Sequence, residues 1–345
     1  PVRVHTIMPC MTQIGKLTID APFFQAGLAG YSDTAMRLVA RKHGCPLCVT
    51  EAMLDQFLIN GGKGLTHAEI DPDDHPIVGQ LMGSHPDDIA SGCKILVKLG
   101  YDIVDVNLAC PVKKIRKKAR GGHLLSEPDA AIDILKAVKQ AVGDDVPLTI
   151  KLRRGTDDSP EATANFHQIF QAVIDQGFAG AVVHGRSVTQ KYIGPSRWSF
   201  LKDLVDQYGQ TPNFTIGGSG DIWDAHDIFR MIQHTGVDIV SVARGCIGNP
   251  WLFQQARLLM TNPDADPTQL APTIAQQRQV LLEHFELSQR LHGERMASMM
   301  MRKFGIKFSS HHPDPTAVKE AFIKVKSLSD WHGVLDGFYA VTQPA

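Results

Sequence analysis

Asn107-Leu-Ala-Cys-Pro111 sets a thiol three residues beyond an amide, and the stretch that follows, Lys113 to Arg120, carries six positive charges in eight residues. Cys110 is a candidate proton donor. Nearby positive charge lowers a thiol's pKa and favours the thiolate, whereas a donor must arrive protonated. Its use therefore turns on how close those cations come. A buried structural thiol is the plainer alternative. The basic run suits a chain of phosphates better than a small anion, which would not need so many cations. Each phosphate neutralised makes binding more salt-sensitive. Lys113 and Lys114, nearest the thiol, are the candidate substrate contacts, and a solvated loop is the rival reading.

A second set of polar groups sits at the ends of apolar runs: Glu51, Gln80, Asn107, Lys151, Arg153, His184 and Arg186. Lys151 interrupts Leu-Thr-Ile-Lys-Leu-Arg153, and a lysine in an apolar strand is costly unless its charge is paired or used. A salt bridge would pair it. Otherwise its ammonium can stabilise a bound ring that gains negative charge. Gly217-Gly-Ser-Gly220 and Ala243-Arg-Gly-Cys-Ile-Gly248 read as two glycine-rich turns, with Arg244 able to add a charge-assisted contact. Two such turns late in the chain point to a phosphate-bearing cofactor. Fifteen histidines make no His-Glu-x-x-His pattern, so no metal is assigned.

Positioning these groups requires strands. Candidates are Leu17 to Phe24, Leu47 to Met53, Ile77 to Met82, Ile103 to Leu108, Pro147 to Leu152, Gly180 to His184, Asn213 to Ile216 and Asp238 to Ala243. Most are continuously apolar, as strands covered on both faces are. Amphipathic helices fit between them over Pro86 to Leu99, Pro128 to Val142, with Ser126 or Asp129 as cap, and Asp221 to Thr235. Eight strands with helices between them predict an α/β fold, a closed (β/α)8 TIM barrel, with working residues just beyond the C-terminal strand ends. An open doubly wound sheet would carry a Gly-x-Gly-x-x-Gly turn after its first strand, and Gly27-Leu-Ala-Gly30 lacks that spacing.

The catalytic barrel is expected over residues 1–260 and a small all-helical C-terminal domain over 268–345, split at Asn262-Pro-Asp-Ala-Asp-Pro267. One helical period runs from Ile274 to about Phe308 and another from Thr316 to about Ser327, before a strand-like Phe338-Tyr-Ala-Val341. The 345 residues are 43% hydrophobic and 21% charged, which suits a folded chain rather than a disordered one. The net charge is -1. Residues 289–326 nonetheless hold eight basic residues (Arg290, Arg295, Arg302, Lys303, Lys307, Lys319, Lys324, Lys326) against Glu294, Asp314 and Glu320. That local excess suggests a face for a polyanion. Six scattered cysteines, Cys10 and the Cys45-Pro-Leu-Cys48 pair among them, do not form a disulfide framework, and buried thiols are expected at the pair. No run is long enough to cross a membrane and no signal peptide opens the chain, so a cytoplasmic home is the default.

Taken together, these segments resemble the bacterial tRNA-dihydrouridine synthases, most nearly the B-type branch. The likeness rests on Asp105-Val-Asn-Leu-Ala-Cys-Pro-Val-Lys-Lys-Ile115 with Gly121-Gly122, Gly30-Tyr-Ser-Asp33 with Arg37, Gln80, Lys151 with Arg153, His184-Gly-Arg186 and Pro250-Trp-Leu-Phe253. The resemblance implies FMN bound without a covalent link, NADPH as reductant, and reduction of the C5=C6 bond of a uridine in tRNA. Carried over, Cys110 would protonate C5 and Asn107 would orient the base. Gln80, Lys151 and His184 would hold the flavin, and Ser219, Gly220, Ala243 and Arg244 its phosphate end. Arg153 and Arg186 join Asn107, Lys113 and Lys114 as substrate contacts. tRNA is the expected partner, gripped by the helical domain, with no membrane and no obligatory protein partner. The chain departs from the family pattern at Gly27, where a proline is usual, and at Ala109, Ser219 and Gly245. Two rivals share the residues: a flavin enzyme for a free pyrimidine, and an RNA-binding barrel that has lost reduction.

Overall fold

A computed structural model describes residues 11–340; Cys10, the opening residues and Val341 lie outside the described residues. Eight parallel strands close into a barrel: β1 (Phe23–Gln25), β2 (Cys48–Val49), β3 (Ile77–Met82), β4 (Ile103–Asn107), β5 (Leu148–Arg153), β6 (Gly180–His184), β7 (Thr215–Ser219) and β8 (Ile239–Val242). The seam closes where Val240 pairs with Phe23 and where Cys48 pairs with both Gln25 and Ile77. Helices α1 (Thr34–Lys42), α2 (Asp55–Ile59), α3 (Pro86–Leu99), α4 (Pro128–Val142), α5 (Pro160–Asp175), α6 (Trp198–Tyr208), α7 (Ala225–Thr235) and α8 (Trp251–Thr261) follow the strands in turn. Each covers the barrel with an apolar stripe. In α4 this is Ala131, Ile134, Leu135 and Val138, all fully buried.

Three expectations need correction. The run Leu17 to Phe24 is not one strand. Leu17–Ile19 pairs back on Thr12–Ile14 as a hairpin, and β1 starts afresh after Pro22. Neither Ser126 nor Asp129 caps α4, because Ser126 Oγ donates to His123 O at 2.7 Å and the cap position is Glu127. Gly217 and Gly218 do not turn but lie inside β7. They are glycine because a Cβ would sit 2.9 Å from Val182 Cγ2 at the first and 2.6 Å from Met231 Sδ at the second. Close packing, not φ, selects them. Gly220, with φ 111°, is the residue that turns.

Four helices complete the chain: α9 (Ile274–His292), α10 (Glu294–Phe308), α11 (Pro315–Lys324) and α12 (Leu328–Phe338). The continuous helical pattern over 274–308 breaks at Gly293, where φ 75° and ψ 159° put the backbone in a region that side chains avoid. The strand-like run at Phe338 is instead the end of α12. Its apolar character serves a core in which Trp331 and Tyr339 are fully buried. The Trp331 ring lies 5.0 Å from Phe285, and Tyr339 lies 5.1 Å from His312. This helical unit docks on the barrel through Tyr31 against Phe304 and Trp251 against Phe308, both edge to face. His292 Nε2 also lies 2.9 Å from Asp33 Oδ2.

Gly293 touches nothing at its missing Cβ, so Gly293→Ala tests backbone strain alone. It should cost about 1–3 kcal/mol, measured by denaturant unfolding. An unchanged midpoint would show that the break does not need glycine.

Candidate active site

The C-terminal strand ends surround a cavity of about 820 Å³. Strand register brings the polar residues to common levels inside it. Gln80 pairs with Asp105, Asp105 with Thr149, and Asn107 with Lys151. Higher up, Arg153 pairs with His184 and His184 with Ser219. Side chains on neighbouring paired positions point to the same face. A polar floor therefore crosses the barrel above apolar residues that include Ile14, Phe24, Val78 and Ile239. Cys110, Asn107, Gln80, Lys151, Arg153, His184, Ser219, Gly220, Ala243 and Arg244 all line this cavity.

The Cys110 loop is fastened from three directions. Ala109 N donates to Asn107 Oδ1 at 2.9 Å, Arg153 Nε donates to Ala109 O at 3.0 Å, and Gly122 N donates to Cys110 O at 3.0 Å. Gly121, at φ 58°, lets the chain pass so close that a Cβ there would lie 2.8 Å from Cys110 Cβ. Of the basic run, Lys113, Lys114, Lys117 and Lys118 are exposed. Lys113 and Lys114 stand outside the cavity lining, while Val112 and Ile115 belong to it. Arg120 turns inward to Asp55 at 3.3 Å. The Arg116 side chain lies outside the described set.

Lys151 Nζ is buried without a hydrogen-bond partner. Burial pushes it down to about 7, against the pull of Asp105 and with the help of Arg153. Burial pushes Asp105 up to about 6, opposed by hydrogen bonds from Thr149 and Gln80 and by the charge of Lys151. The two groups titrate close together, so the floor stands at the edge of ionisation near neutral pH. His184 is pushed down to about 2, first by burial and then by Lys151, Arg153, Arg186 and Arg244. It is a neutral imidazole in a positively charged cup.

Arg153 and Arg186, expected to meet substrate, are 2% and 3% exposed. Arg153 Nη1 donates to Ser187 O and Lys191 O, both at 2.8 Å. Arg186 holds Asp221 through Nη2 at 2.6 and 2.8 Å, and it is not among the lining residues. Asp221 has φ 59°, a conformation costly without such support. Arg244 lies between two exposed rings, 4.6 Å from the centre of Trp223 and 5.1 Å from that of Tyr192. Gly27, the departure from the usual proline, does not use its backbone freedom. A Cβ there would come 2.3 Å from Thr50 O.

Sequence reasoning passed over Asp105, Thr149, Tyr192, Asp221 and Trp223 as site residues. Asp105 carried the signal that exposed Lys151, a charge inside an apolar strand. The helical unit also reaches the mouth. Lys307 lines the cavity, and Lys303 Nζ lies 4.6 Å from the centre of the Tyr31 ring. Cys45 and Cys48 are buried with Sγ atoms 3.8 Å apart. Among the described residues there is no group of three or more metal ligands, and no helix is long and apolar enough to cross a membrane.

The Lys151 titration is measurable. Acylation of Lys151 by a small reagent, followed across pH by peptide mass spectrometry, should rise around pH 7. Asp105→Asn removes a neighbouring negative charge and should move that rise to lower pH. A rise in the range of an ordinary surface lysine would contradict this account of the floor.

The matching family model is that of dihydrouridine synthase, aligned with residues 24–336. A probable tRNA-dihydrouridine synthase 1 of Synechocystis sp. is 30% identical over 332 residues, covering 96% of this chain and 90% of that protein. A tRNA-dihydrouridine synthase B of Shewanella oneidensis is 29% identical, covering 95% and 98%. Among solved structures, a histamine dehydrogenase from Rhizobium sp. 4-9 matches 82% of this chain and 51% of its own, with a TM-score of 0.58 and 14% identity. A DHODH from Eimeria tenella matches 75% and 86%, with a TM-score of 0.54 and 15% identity. Those two likenesses concern the fold alone. A family model spanning the barrel and most of the helical unit, with relatives of matching length that include the B-type, makes this chain a member of the dihydrouridine synthase family.

Proposed function

We propose that the chain is a tRNA-dihydrouridine synthase that reduces the C5=C6 bond of a uridine in tRNA, with FMN at the barrel mouth, NADPH as electron source and Cys110 as proton donor. The observation that carries this reading is that Cys110 and Lys151 line one cavity. The fit to a flavin is supported by the Lys151 ammonium, which is buried and has no protein partner. It is also supported by the positively charged cup around a neutral His184. Gln80, Lys151 and His184 would hold the ring and ribityl portions. Ser219, Gly220, Ala243 and Arg244 would hold the phosphate end. FMN reduced by NADPH would supply the hydride that adds at C6.

The protein's own groups do the rest. The uridine must leave its stack to enter a barrel mouth, so the surrounding RNA has to be gripped while one base is presented. Lys307 of α10 lines that mouth, Lys303 Nζ stands over the ring of Tyr31, which also lines it, and the exposed Lys113 and Lys114 lie between the lining residues Val112 and Ile115. Asn107, already tied to Gln80 and to the Ala109 amide, has one amide hydrogen left for the base. Cys110 Sγ–H passes its proton to C5 and is left as a thiolate, which regains a proton from solvent. When protonated, Lys151 favours the negative charge of a reduced ring, and that charge would in turn favour the protonated amine. The rim lysines favour RNA over a free pyrimidine as substrate, since a small ring has no use for them.

Purified protein incubated with NADPH and unmodified tRNA should yield dihydrouridine by nucleoside mass spectrometry, with free uracil and orotate left unreduced. Flavin-loaded protein that modifies none of several tRNAs would sink the proposal. Cys110→Ala should slow product formation about 10²-fold while the flavin is still reduced by NADPH. Lys307→Glu should weaken tRNA binding and lower its salt slope by about 1.

A further inference from the structure

Thr149, Asp105, Gln80, Asn107 and the Ala109 amide form an unbranched chain of hydrogen bonds across three strands. Thr149 Oγ1 donates to Asp105 Oδ1 at 2.7 Å, and Gln80 Nε2 donates to Asp105 Oδ2 at 2.9 Å. Asn107 Nδ2 donates to Gln80 Oε1 at 2.7 Å, and Ala109 N donates to Asn107 Oδ1 at 2.9 Å. Asp105, Gln80 and Thr149 are buried, so the partners are not freely exchanged for water.

The direction of this chain is forced at both ends. An ionised carboxylate only accepts, and a backbone N–H only donates. Turning over the Gln80 amide would set oxygen against the Asp105 carboxylate and nitrogen against the Asn107 nitrogen. Turning over Asn107 would set its nitrogen against the Ala109 N–H. Two amides whose orientation is free in isolation are thereby fixed between one carboxylate and one backbone N–H, and the last bond ends one residue before Cys110.

We propose that Asp105 is a positioning residue, which through Gln80 and Asn107 holds the loop carrying Cys110 and fixes which amide atoms face the cavity. The proposal rests on Cys110 being the proton donor of the function above. The other residues facing Asp105 are few. On β3 and β5 they are the neutral Gln80 and Thr149, with Lys151 on the cavity side. Cys93 of α3 lies on the far side, its thiol pushed up by burial and then by the Asp105 charge.

Two substitutions separate position from charge. In Asp105→Asn the new oxygen still accepts from Gln80, and the new nitrogen can donate to Thr149, whose hydroxyl accepts as readily as it donates. Direction is kept and charge is lost. In Asp105→Leu both are lost. Using the full chain as purified, hydrogen exchange of the peptide containing Ala109 and alkylation of Cys110 by iodoacetamide should both accelerate about tenfold in Asp105→Leu. Both should stay within about twofold of the parent in Asp105→Asn. Equal rates in Asp105→Leu and parent overturn the proposal, as does a full acceleration in Asp105→Asn, because a general loss of packing or charge would then suffice. If Asp105→Leu does not fold, Gln80→Leu breaks the same chain one link on and must accelerate both rates; unchanged rates there overturn it too. Dihydrouridine formation by the parent is read separately. A parent that forms none, yet shows the Ala109 difference, sinks the enzyme and keeps the relay. A parent that forms it without the difference does the reverse.

Discussion

The architecture turns on a lysine and an aspartate enclosed together near the centre of a barrel. Neither is comfortable there. Burial drives Lys151 toward its neutral form and Asp105 toward its protonated one, and each holds back the other's shift. Asp105 is also bonded by Thr149 and Gln80, while the ammonium has no bond at all. An apolar barrel interior would be the easier structure to stabilise. An amine without a protein partner on the lining of a cavity is placed to meet what enters it.

The barrel delivers this arrangement through register. Because neighbouring strands are parallel and in step, Gln80, Asp105 and Thr149 fall at one level and Asn107 with Lys151 at the next. No loop has to be folded accurately to make the floor. The loops carry the rest of the cavity lining: Cys110, Gly220 and the exposed rings of Tyr192 and Trp223. Arg153 and Arg186 join the two systems. Each spends a guanidinium on loop groups, so the loops inherit the rigidity of the strands.

Much of this was legible in the sequence. Continuous apolar runs marked the strands, and Ile77–Met82 and Gly180–His184 fall where the pattern put them. Lys151 and Cys110 stood out by chemistry and lie on one cavity. What could not be read depends on distances between segments far apart in the chain. Gly217 and Gly218 looked like a turn because glycine's conformational freedom is visible in a sequence, whereas the nearness of Met231 and Val182 is not. Arg153 and Arg186 were expected to meet substrate; that carbonyls and a carboxylate from other loops hold them is not visible in the sequence. The single helical period after Ile274 concealed Gly293, since a bend between two helices need not disturb the phase of their apolar faces.

The loop beyond Cys110 divides into two halves with opposite tolerances. Its lysines at 113, 114, 117 and 118 are exposed, so their number and sign can drift with little effect on how the thiol is seated. Its far end admits no such drift, because Gly121 lies against the Cys110 side chain where a single extra methyl would collide. A chain built this way can vary the charge it shows to solvent along one stretch of loop while the seat of the Cys110 side chain is inherited unchanged from the other.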